Sequence, residues 1–259
     1  MKSTKQEYTL SSVKNALQIL KSFSDTNQEK KTGELATELG LGKSTVSRLL
    51  STLASEGFVK KNKETNRYRL GFSILTLSNV LTANLEIHQE AVPELQQLVN
   101  KVNETAHLVL LDQQEVVYLQ KIECDQPVRI TTKVGSKNPL HCTSSGKVIL
   151  AYKSPTFVDE ILNSGLEKFT NYTIIKPDIL KDEFERIKQI GYAVSNEEYI
   201  VGVCSIAAPI FNHNNEIIAA INIVGPVQRM NRKTIPKYAK EVKASAEHIS
   251  KKMGYMVMS

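Results

Sequence analysis

The sequence predicts an α+β protein of two unlike parts, a small helical module followed by a larger domain built round a central sheet. Three observations carry this prediction. Apolar residues recur every three or four positions through residues 11–55, the period of helices with one buried face. From Pro93, the first of eight prolines, strand-like runs alternate with amphipathic helical runs. With 41% hydrophobic residues over 259 positions, the chain can bury a core in each of one or two domains.

Segment 11–23 puts Val13, Ala16, Leu17, Leu20 and Phe23 on one helical face, with Ser11 or Ser12 as cap. Segment 32–41 reads as a short helix capped by Thr32, with Leu35, Ala36 and Leu39 inward and Gly40 at a left-handed end. A third helix runs from Gly42 to Gly57, with Val46, Leu49, Leu50 and Leu53 as its stripe. Residues 58–61 and 67–70 read as two short strands about the turn "NKETN".

Helix, helix, glycine turn, helix and hairpin is the order of a winged helix-turn-helix. In that motif the exposed face of the second helix of the pair enters the DNA major groove. Here that face carries Lys43, Ser44, Thr45, Ser47 and Arg48: cations and short hydroxyls, and no acid to repel phosphate. Arg67 and Arg69 on the hairpin are candidates for backbone or minor-groove contact. Residues 1–70 hold 13 Lys and Arg against 7 Asp and Glu, a net of +6 that equals the excess of the whole chain. This asymmetry favours a polyanion at one end. The plainer alternative is a helical packing module with a solvated basic surface.

Residues 72–90 form a further amphipathic segment, with Ile74, Leu77, Leu81 and Leu85 at helical spacing beside Val80. It can pack on one domain or pair with its twin in a dimer, and two-fold duplex half-sites reward the second arrangement. The expected boundaries are therefore 1–71, 72–90 and 91–259. In the last part a helix continues through 94–102. Strand-like runs cover 106–112, 115–123, 128–135, 203–211 and 216–225, the last two joined through "NHNN". Helical runs cover 144–152, 156–164, 177–190 and about 231–253.

Several stretches together resemble the IclR family of bacterial transcription regulators. They are "SVKNALQIL", "ELATELGLGKSTVSRLLSTLASEGFV", "YRLG", "PLHCTSSGKVILA", "IGYAVSNEEYIVGVCSIAAPIF" and "AAINIVGPVQR", in the family's order over nearly the whole chain. The resemblance implies a winged helix-turn-helix, a linker helix and a GAF-like C-terminal domain that binds a small-molecule effector. It also implies homodimers or homotetramers, and a double-stranded DNA operator as partner.

The resemblance places the loop Thr143, Ser144, Ser145 and Gly146 in the effector pocket. Thr143 can cap the following helix, whose free amides would favour an anion such as a carboxylate. From these residues alone, an ordinary capped helix start is the alternative. Motif alignment carries over Ser195, and Ser205, where the family more often has cysteine. Asn222 and Val224 alternate inward on the last strand, and Ile130 with Thr132 would supply a wall. Hydroxyls, one amide and apolar walls, with no obvious buried cation, suit a small organic acid.

Other classes are weaker. His141 and Cys142 are adjacent, and neighbours on an extended segment point to opposite faces, so a cysteine enzyme is not expected. Five histidines and three cysteines show neither CxxC nor HxxxH spacing, so neither a metal nor a cofactor is expected. A C-terminal domain that only oligomerises stays open. The first residues lack a leader pattern, no apolar run reaches membrane length, and the odd cysteine count fits a reducing compartment. The expected location is the cytoplasm, without membrane contact.

Overall fold

Helix periodicity and hairpin chemistry in the first 84 residues produce one small core. A computed structural model describes residues 10–24 and 26–256; residues 1–9, read above for a leader, and 257–259 lie outside it. The chain divides into two compact units that meet between Asn84 and Leu85. The first contains α1 (Ser11–Ser22), α2 (Thr32–Leu39), α3 (Lys43–Ser55), β1 (Val59–Lys61), β2 (Tyr68–Leu70) and α4 (Ser73–Ala83). Ile19, Leu35, Val46, Leu50 and Val59 form its buried centre, with Leu49 and Leu53 packed against it.

Several details differ from the expectation: α1 is entered through Leu10, without a side-chain cap from Ser11 or Ser12. On α1 the buried residue is Ile19, while Val13 and Leu17 are about half exposed at 53% and 51%. Thr32 is the first helical residue, not the cap; Glu34 reaches back to accept from the Lys31 amide at 2.9 Å. Gly40 does end α2, at φ +64°. The segment 72–90 is not one helix. The Asn84 side chain donates to Val80 O at 2.7 Å and closes α4, and Leu85 is extended before α5 (Glu86–Val102).

The second unit is a six-stranded antiparallel sheet in the order β5-β4-β3-β8-β7-β6. Its strands are β3 (Thr105–Asp112), β4 (Glu115–Ile122), β5 (Lys137–Pro139), β6 (Ala193–Asn196), β7 (Val203–Phe211) and β8 (Ile217–Pro226). The helices are α5, α6 (Ser144–Ala151), α7 (Pro155–Asn163), α8 (Pro177–Ile190) and α9 (Ile235–Lys252). Strand period two sorts the side chains. Leu108, Ile206, Ile221 and Ile223 meet α5 and α9. Val109, Tyr118, Ala207 and Ala220 meet α6, α7 and α8 on the other face.

The expected strand over 128–135 does not form. The Tyr118 backbone on β4 is already paired with Gly135 N and Ser136 O, at 2.8 and 3.1 Å, and strand pairing resumes only at Lys137. Residues 128–134 therefore peel away without ladder partners. β5 and β6 were not expected; both are short edge strands. The last helix starts four residues later than expected, because Asn231 and Thr234 bond each other in a turn before it. Among the described residues, no helix is long and apolar enough to cross a membrane.

Candidate DNA-binding surface and effector site

The outer face of α3 carries the residues its sequence offered. Lys43, Ser44, Ser47 and Arg48 are exposed and Thr45 is half-buried, opposite the fully buried Val46 and Leu50. The hairpin divides its two arginines. Arg67 is held inside the module, donating to Glu29 O at 2.9 Å and to both Glu34 oxygens at 3.0 and 3.2 Å. Arg69 is exposed on β2, opposite Lys60 of β1. On α4, Ile74 is half-buried, while Leu77 and Leu81 are exposed at 56% and 61%. The helix buries no residue, and its apolar surface is left uncovered by its own unit.

In the second unit, α6 begins against the sheet. Thr143 Oγ1 accepts from Gly146 N at 3.1 Å and its hydroxyl donates to Pro139 O at 2.8 Å. A side chain at Gly146 would meet Leu140 O at 2.1 Å, so glycine is required for this close approach. Thr143 and Gly146 are thus framework, and the Gly146 amide is not available to an anion. The amides of Ser144 and Ser145 remain, as the first turn of a helix offers them no internal acceptor. Ser144 donates to Ser205 Oγ on β7 at 2.8 Å. Ser195 on β6 donates to Cys142 O at 2.7 Å. The Ser145 hydroxyl is fully buried and has no hydrogen-bond partner among the described residues.

Register puts the other residues on the same face. Ser195 pairs with Ser205, Ser205 with Val224, and Asn222 with His107 of β3. Ile130 lies half-buried in the irregular segment beyond β4, not on a strand. Sequence reasoning missed His107 and Tyr118. His107 Nδ1 lies 2.7 Å from Asn222 Oδ1, Nε2 bonds Thr132 Oγ1, and the ring meets Tyr118 edge-on at 4.8 Å. Asn138 Nδ2 donates to Tyr118 Oη at 3.1 Å. Burial holds the His107 imidazole down to about 4. Burial also raises the Tyr118 hydroxyl. The signal in the sequence was a histidine sharing the inward row of Val109.

A buried cation is present, against expectation. Lys147 on α6 is 1% exposed; its Nζ donates to Val194 O at 2.7 Å and to Glu198 Oε1 at 2.6 Å, with Glu183 at 3.7 Å. Burial raises the Glu198 carboxyl despite Lys147. Nothing in the sequence around Lys147 marks it as buried, since its partner Glu198 is far along the chain. Cys142 and Cys204 are buried, and burial followed by the charge of Glu198 pushes both thiols up to about 12. His141 Nε2 lies 2.9 Å from Glu167 O.

Comparison with known proteins gives these two sites a context. Residues 12–63 match the IclR helix-turn-helix domain, and residues 80–251 match the C-terminal domain of bacterial transcriptional regulator IclR. The chain belongs to the IclR family. It is accordingly a DNA-binding transcriptional regulator. Among IclR relatives, the transcriptional repressor IclR of Escherichia coli (strain K12) is 28% identical over 248 residues, covering 95% of this chain and 90% of that one. The Thermotoga maritima IclR structure is 31% identical, with a TM-score of 0.80, over 95% of this chain and 100% of that one. An IclR homologue from Microbacterium hydrocarbonoxydans, in complex with 4-hydroxybenzoate, shares the fold. Its TM-score is 0.84 at 23% identity, over 93% of this chain and 98% of that one.

Proposed function

We propose that the chain is a cytoplasmic repressor whose operator affinity is set by a small organic acid. The observation that carries the effector half is the start of α6: two serine amides, a buried hydroxyl without a partner, and a polar sheet face at Ser205, Ser195 and Asn222. A helix start of this kind takes a carboxylate, with the positive end of the helix dipole toward the charge. Val224 and Ile130 supply apolar boundary. A protein of the same fold holding 4-hydroxybenzoate supports an organic acid as the class of ligand, and repressor relatives support the direction of control.

Residues to 71 read DNA, with Lys43, Ser44, Thr45, Ser47 and Arg48 in the major groove. Arg69 takes the backbone contact; Arg67, engaged with Glu34, braces the wing. Residues 72–90 join two chains through Ile74, Leu77 and Leu81, in a homodimer or a homotetramer. Effector binding shifts the population whose two modules match the operator spacing. Catalysis is the weaker reading, because thiols raised to about 12 are poor nucleophiles at neutral pH. Thermal-shift screening with small carboxylic acids tests the proposal. A concentration-dependent rise in Tm supports an effector, and a flat response to every acid leaves an oligomerisation module instead.

A further inference from the structure

The hydrogen bonds of His107 fix which of its nitrogens carries the proton. Asn222 Oδ1 accepts at 2.7 Å, so Nδ1 is the donor. Nε2 is then a bare acceptor, and Thr132 supplies the hydroxyl that satisfies it. Thr132 comes from the irregular stretch beyond β4, whose Val128 and Val134 are exposed, and Lys121 Nζ holds its carbonyl at 2.8 Å. One acceptor of the buried network is therefore filled by a hydroxyl from a segment without strand pairing.

We propose that an effector hydroxyl takes the place of the Thr132 hydroxyl on His107 Nε2, making the ligand a hydroxy acid held at both ends. This rests on the reading of the α6 start as the carboxylate site. The two ends are chemically unlike. The α6 amides donate and favour an anion, whereas Nε2 accepts and repels one, so the acid has a single orientation. An oxo or methoxy group cannot donate and is rejected at the His107 end.

The register also sets a length. Ser205 and His107 lie two strands apart and two residues out of step. Strand spacing and rise put their Cα atoms about 12 Å apart. The two ends are well separated, so the hydroxyl must stand several bonds from the carboxylate, as across a six-membered ring or at the end of an alkyl chain. Two- and three-carbon acids are too short to reach both ends.

Calorimetric titration of the full-length protein with matched acids tests this. The probes are 4-hydroxybenzoate against benzoate and 4-methoxybenzoate, 6-hydroxyhexanoate against hexanoate, and pyruvate as a short acid. At least one hydroxyl-bearing probe should bind about tenfold more tightly than its analogues, the value of one satisfied buried hydrogen bond. In His107→Phe the gap should close. Thr132→Val, which empties Nε2 without touching the core, should tighten the hydroxyl-bearing acid and leave its analogue unchanged; this second variant decides the matter if His107→Phe does not fold. An equal gap in His107→Phe, no response in Thr132→Val, or binding of pyruvate alone overturns the proposal and leaves the effector site standing. Failure of every acid, short or long, overturns both.

Discussion

Ser144 and Ser205 are joined across the helix–sheet boundary: the first hydroxyl of α6 donates to a hydroxyl on β7 at 2.8 Å. The bond ties the start of α6 to β7, whose register leads through β8 to Asn222 and His107. Under the proposed function, a carboxylate on residue 144 would stand where the effector's own carboxylate binds. Ser144→Asp should weaken the acid by more than about tenfold through like-charge repulsion, while binding of operator without effector stays as in the wild type. Titration calorimetry and gel shift on the same preparation check the two halves.

Arg48 is exposed on the face of α3 opposite Val46 and Leu50. Arg48→Ala should leave Tm within about a degree, as a surface change away from any partner. Operator binding should fall by about 1–3 kcal/mol if the guanidinium reads a base. A duplex selected from a random pool by the wild-type protein, followed by fluorescence anisotropy at fixed salt, gives the number.

The exposed leucines of α4 predict an assembly defect. Leu77→Glu with Leu81→Glu would place two charges on the proposed dimer face and should convert the protein to monomers at micromolar concentration. Sedimentation velocity checks this, and binding to a two-half-site operator should fall with it. Acid binding in the second unit should not change.

These predictions use parts of the molecule that differ in how plainly the sequence showed them. The α3 face was legible because helical period separates Val46 and Leu50 from Lys43 and Arg48 without any tertiary knowledge. The loop 143–146 was legible as a capped helix start, but not the assignment of Thr143 and Gly146 to framework. That depends on Leu140 lying against Gly146, a contact between backbones that leaves no pattern in composition. His107 was missed because one polar residue in an apolar strand shows no partner until β8 brings Asn222 beside it, 115 positions away. Lys147 was missed for the same reason, since its anion Glu198 lies 51 positions on. The strand expected at 128–135 had the right residue types, but only its end, at Gly135, bonds to the β4 backbone.

His107 predicts a pH dependence of stability. In the unfolded chain its imidazole takes a proton near 6.5, and in the fold only near 4, because burial disfavours the charge. Between those values the unfolded state binds more protons. Its contribution is therefore fully present above 6.5 and is lost as pH falls toward 4, on the order of 3 kcal/mol in all. Urea unfolding of wild type and His107→Gln at pH 7.5 and 4.5 should show the wild type losing more stability than the variant.

The Lys147–Glu198 pair predicts a non-additive cycle. Lys147→Met alone strands a buried carboxylate and should cost about 3–5 kcal/mol, whereas adding Glu198→Gln should return much of that loss. Denaturant midpoints for the four proteins of the cycle test it, and equal losses in the single and double variants would remove the argument for a coupled pair.

In the proposed function, an acid bound at the α6 start controls the grip of the α3 face on DNA. The most direct measurement follows release of the selected operator by fluorescence anisotropy as acid is added, for wild type and Ser144→Asp side by side. The acid is whichever small carboxylic acid gives the largest thermal shift with the wild type. The wild type should leave the duplex at acid concentrations near its measured Kd, while Ser144→Asp should stay bound at ten times that concentration. Release of both proteins at the same concentration would contradict it.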